Sequence, residues 1–150
     1  MTTRARSWLG GAVIVLGLAG ALRADLRQAK AEPNLEKRSK LALDNAAQAL
    51  KAAREAYVKG DIAQVKELAA EIGESVQLAD TSLRETGKNP RKSPKWFKRA
   101  EIATRDLLRR LDAFQQEMSF ADRAFLDPVK AKVQKVHDKL LLGVMEGKEE

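Results

Sequence analysis

The chain has 150 residues, enough for one domain and too few for two ordinary ones. It carries 28 Lys and Arg against 21 Asp and Glu, a net charge of +7, with one His and no Cys. The missing thiols exclude a disulfide scaffold, a thiolate metal site, a Cys nucleophile and a lipid-anchored amino-terminal Cys, and the lone His excludes any site within one chain that needs two.

The first elements are an address. Arg4 and Arg6 precede Trp8 to Leu22, WLGGAVIVLGLAGAL, fifteen residues without a charge. Ala19-Gly20-Ala21 has the small-x-small pattern of a signal-peptidase site, and Ala24 before Asp25 offers a second cut. Basic start, apolar middle and small-residue end predict a secretory signal peptide over residues 1–24. The rival is a retained membrane anchor over residues 8–22. Fifteen helical residues rise about 22 Å against a hydrocarbon core of about 30 Å, so the segment is short for a span. Removal of residues 1–24 takes away three Arg and no acid and leaves +4. The headline basicity is thus partly the export signal, and export argues against nucleic acid as a partner.

Residues 25–34 are polar and weakly patterned and read as a flexible lead-in. The helical domain is expected over 35–147. From Leu35 to Lys59 no Gly or Pro interrupts, and Leu43, Ala46, Leu50, Ala53 and Tyr57 share one helical face. Asn34 is placed to cap this helix. Gly60-Asp61 ends it and starts the next, whose stripe is Ile62, Val65, Ala69, Ile72, Val76, Ala79 and Leu83, ending at Thr86-Gly87. A turn this short forces an antiparallel hairpin over 35–86. Residues 87–93 form the linker. Ser93-Pro94 reads as cap and first helical residue, opening a helix to about Met118 with the face Phe97, Ala100, Thr104, Leu107, Leu111, Phe114 and Met118. Ser119 to Asp122 resembles another capping signal before a short turn through Leu126. Asp127-Pro128 repeats the device for a last helix carrying Val129, Val133, Val136, Leu140 and Val144, stopped by Gly147. The second hairpin spans 94–147.

No segment alternates with period two, so the expected fold is all-α: an up-and-down bundle of about four helices built from two long helical hairpins. The stretch Ala53 to Ala70, AREAYVKGDIAQVKELAA, resembles the hairpin of a tetratricopeptide repeat in Tyr57, the Gly60-Asp61 turn and the small Ala69. No second copy follows at a period of about 34 residues. The resemblance therefore implies a helix–turn–helix and not the stacked superhelix with its peptide groove.

Candidate chemistry is sparse. His137 falls at the edge of the last apolar stripe, with Asp138 expected to point elsewhere; an enzyme using His137 is the least favoured reading. Carboxylate-bridged metal chemistry in a bundle needs Glu-x-x-His motifs, and position 134 is Gln. Glu67, Glu71 and Glu74 form a carboxylate row expected to be solvated. Neither a cofactor nor a metal site is expected, and no small-molecule substrate is evident. The strongest feature is electrostatic. Lys88, Arg91, Lys92, Lys95, Lys98 and Arg99 lie within residues 88–99 without an acid, beside Trp96 and Phe97. With the leader gone, everything outside that window sums to −2. Such a segment suits anionic head groups, an acidic polysaccharide or an acidic protein. The sequence thus predicts an exported, non-enzymatic helical binding or scaffolding protein of the bacterial envelope, periplasmic or secreted. Its partners would be a protein or an anionic envelope surface, and the Ala-rich stripe leaves a homo-oligomer open.

Overall fold

The computed structural model describes residues 26–147. Both expected cleavage positions and the charged tail lie outside them. Four helices carry the fold: α1 (Leu35–Val58), α2 (Ile62–Glu85), α3 (Pro94–Glu117) and α4 (Asp127–Glu146), with a 3-10 turn at Arg123–Leu126. Among the described residues there is no strand, and no helix is long and apolar enough to cross a membrane.

Residues 26–31, within the stretch expected as a flexible lead-in, are helical, and Leu26 and Ala29 are buried. Two apolar residues three apart are too few to register as a periodic pattern. Pro33 then breaks the path, and Asn34 accepts from the backbone N–H of Lys37 at 2.9 Å to start α1. At its other end α1 closes on Gly60, at φ +76°. Asp61 N donates to Ala56 O at 2.9 Å and Gly60 N to Tyr57 O at 2.9 Å, which satisfies carbonyls the helix end would orphan. The Asp61 side chain then caps α2 through Gln64 N at 3.1 Å.

The α1–α2 hairpin is the tightest pairing in the molecule. Its seam is Ala42, Ala46, Ala49, Ala53 and Ala56 against Val65, Ala69, Ile72, Val76 and Ala79, all buried. Small side chains let the two backbones approach closely. The face Leu43–Ala46–Leu50–Ala53 is buried as its spacing implies, but Ala42, Ala49 and Ala56 add a second row beside it. A helix packed against two neighbours buries more than one stripe. The α3–α4 hairpin uses larger residues, with Phe97, Leu107, Leu111 and Phe114 facing Val129, Val133, Val136 and Leu140.

Helix directions alternate as expected. The linker crosses one end of the bundle diagonally, so α1 stands beside α3 and α2 beside α4, each pair parallel. Arg54 near the end of α1 pairs with Glu117 near the end of α3, and Lys139 of α4 reaches Asp80 of α2 at 3.8 Å. At the far end Tyr57 ties the hairpins together. Its hydroxyl accepts from Ser119 N at 2.8 Å and donates to Asp122 Oδ2 at 3.0 Å, while its ring meets Phe114 edge-on at 5.9 Å. The Ser119–Asp122 segment, expected as a capping signal, makes no side-chain cap for the turn: Asp122 Oδ2 accepts from Tyr57 and from Ser119 Oγ instead. Asp127 likewise accepts from Gln115 Nε2 at 2.7 Å and is the first residue of α4 instead of its cap.

Candidate functional site: a positively charged end of the bundle

The linker and the first turns of α3 form one end of the bundle, and local hydrogen bonds give the loop its shape. Thr86 Oγ1 donates to Leu83 O at 2.6 Å and accepts from Lys88 N at 3.2 Å. Asn89 Oδ1 accepts from Arg91 N at 2.9 Å and Lys92 N at 3.3 Å, and Asn89 O accepts from Ser93 N at 2.9 Å. This side-chain turn is the reason a polar, proline-containing segment is ordered. Ser93 does not do the capping expected of it: its side chain makes no bond to the first turn of α3. Pro94 sits at the start of α3, where its missing N–H costs nothing.

The loop is fastened to α4. A Cβ built on Gly143 would lie 3.2 Å from Pro90 Cγ, and one on Gly147 3.3 Å from Asn89 Oδ1. A side chain at either glycine would push the linker back by a few tenths of an ångström from the end of α4. Phe97 is buried and anchors α3 from beneath, while Trp96 is half-buried on the rim.

Lys88, Arg91, Lys92, Lys95, Lys98 and Arg99 are all exposed. Lys88 pairs with Glu36 of α1. The other five make no ion pair among the described residues. Lys95 Nζ and Arg99 Cζ stand 5.5 and 5.1 Å from the centroid of the Trp96 ring, so that indole is flanked by two cations. All seven candidate residues thus lie at one end of the bundle, on the ordered turn and the first turns of α3 around the buried Phe97. The field of five unopposed charges acts on anything anionic within about a Debye length, roughly 10 Å at 0.1 M salt.

His137 lies between two carboxylates. Its Nε2 is 3.1 Å from Glu101 Oε1 on α3 and its Nδ1 3.3 Å from Asp138 Oδ1. Asp138 therefore does not point elsewhere: Gln134 Nε2 donates to the same oxygen at 2.7 Å and holds it near the ring. Among the described residues, no hydroxyl hydrogen-bonds to the ring or to either carboxylate. The cluster joins α3 to α4.

The carboxylate row is less uniform than a solvated face. Glu71 Oε1 accepts from Asn45 Nδ2 at 3.0 Å, and the same nitrogen reaches Ser75 Oγ at 2.9 Å inside the α1–α2 seam. Glu67, Glu71 and Glu74 line a groove of about 380 Å³ with Arg27 and Lys30 of the leading helical turn. No group of three metal-ligating side chains is gathered among the described residues.

Two polar features escape a reading of the sequence. Asn45 is buried with its Oδ1 unbonded, and Asp80 is buried with Arg84 at 2.9 Å and Lys139 at 3.8 Å. Those cations hold Asp80 by charge without hydrogen-bond alignment, leaving its Oδ2 without a bonded partner. A signal for Asp80 existed: it lies four residues after Val76 and three before Leu83, on the buried stripe, with Arg84 one turn on. Comparison with protein-family models, with curated proteins and with solved structures finds no match to this chain.

Proposed function

We propose that this chain is an exported, non-enzymatic helical binding or scaffolding protein of the bacterial cell envelope, making contact with an anionic surface or partner through residues 88–99. One observation carries the reading. Five exposed cations without ion partners lie on an ordered turn and the first turns of α3, with a half-buried Trp among them. Cations in the first turn of a helix oppose its dipole, so the placement has a cost to the fold and finds its use outside it. Leu26 and Ala29 are packed into the bundle, so a chain cut at Ala24 keeps both contacts.

The second reading keeps residues 8–22 as an anchor. Only residues 23–25 would then separate the apolar run from the packed Leu26, a reach of about 11 Å. The bundle would be pressed against the membrane.

The test is retention on immobilised dextran sulfate and on partners captured from the extracytoplasmic fraction, at low and high salt. Substituting Arg91, Lys92 and Lys95 with Gln abolishes salt-sensitive retention if the reading holds. Unchanged retention in the triple variant, with helical content preserved, overturns it.

A further inference from the structure

The positively charged end also carries exposed apolar side chains. The Glu101–His137 contact marks the antiparallel register of α3 and α4. In that register Leu141 is level with Phe97, and Met145 with Ser93. The contacts of Pro90 with Gly143 and Asn89 with Gly147 bring the linker to the same last turns of α4. Leu141 is 39% exposed, Leu142 45% and Met145 67%. Glu146 is the single acid between Lys139 and Gly147.

From this juxtaposition we infer that this end of the bundle docks on an anionic phospholipid bilayer. Arg91, Lys92, Lys95, Lys98 and Arg99 meet the head groups, and Leu142 and Met145 enter the acyl boundary. The inference rests on the anionic contact proposed above and names its partner. Charge alone would suit any polyanion. The apolar side chains favour lipid, because a sulfated or carboxylated polysaccharide offers them only water, whereas the bilayer interface accepts both kinds of group side by side. Trp96 has the amphipathic character that suits the head-group level. The contact lies on the surface, since no described helix is apolar enough to span.

The chain from Asp25 onward contains every described residue, and Trp96 is then its only Trp. The experiment measures binding to vesicles of equal phosphatidylglycerol and phosphatidylcholine, and to phosphatidylcholine alone, by quenching of Trp96 with brominated acyl chains. Circular dichroism checks helical content in every variant. The inference expects quenching on the anionic vesicles only, weakening as salt rises. Arg91→Gln, Lys92→Gln and Lys95→Gln together should lower partitioning roughly a hundredfold. Leu142→Ser with Met145→Ser should lower it about tenfold. A control that removes the exposed Lys51, Lys59 and Lys66 should change it by less than about threefold, because those charges lie toward the opposite end of the bundle. Vesicle binding indifferent to the Leu142 and Met145 changes overturns the inference. So does binding to dextran sulfate without binding to vesicles, and in both cases the anionic contact survives. Binding to neither probe overturns both.

Discussion

Truncation of Phe114 to Ala tests the junction of the two hairpins. Phe114 is fully buried on α3 and meets Tyr57 of α1 edge-on at 5.9 Å with the rings at 76°. Its loss removes a large buried ring and opens a cavity between helices that cannot collapse freely, a change of about 4 kcal/mol. The described fold has about 120 residues, so its unfolding entropy is about 0.25 kcal/mol/K and the midpoint should drop by about 16 °C. Tyr57→Phe is the partner experiment. It keeps the ring and removes the hydroxyl that bonds Ser119 N and Asp122. Water reaches that rim, so about 1 kcal/mol is expected. Ring burial should therefore outweigh the hydroxyl several-fold. Thermal and urea unfolding followed by circular dichroism give both values. A Phe114→Ala variant within 1.5 kcal/mol of the parent would refute this packing, and Tyr57→Phe costing as much as Phe114→Ala would show that the polar latch joins the hairpins instead.

Other outcomes follow from single contacts. Gly60→Ala forces a side chain into φ +76° with open space around it, so strain alone should cost about 1–2 kcal/mol in urea unfolding. Asp80→Asn discharges a buried carboxylate whose partners Arg84 and Lys139 are half exposed. Those cations return to water, so the loss should be about 1–2 kcal/mol and shrink in 1 M salt. His137→Ala removes the bridge to Glu101 and should lower stability by about 1 kcal/mol while leaving vesicle binding unchanged.

The helices were legible because their apolar residues recur at helical spacing and their ends carry Asn34, Asp61, Pro94 and Gly60. The face from Phe97 to Met118 is buried at every position named from the sequence. The diagonal crossing of the linker was not legible, since either neighbour arrangement satisfies the same stripes. It depends on Gly143 admitting Pro90, a contact between residues far apart in the chain. The capping signals at Ser119–Asp122 and Asp127 were misleading because Asp122 and Asp127 bond to Tyr57 and Gln115, partners that the local spacing of a cap does not encode, and the Ser93 side chain makes no capping bond. The basic run was legible as composition. The exposed Leu142 and Met145 beside it were not, because the apolar residues of α4 outnumber what one face can bury and only packing decides which stay outside.

The most direct test of the whole account is the intact mass of the native chain, measured separately in the cytosolic and extracytoplasmic fractions. An exported protein yields an extracytoplasmic species that begins at Leu22 or Asp25. A full-length chain starting at Met1 and soluble in the cytosol would contradict it.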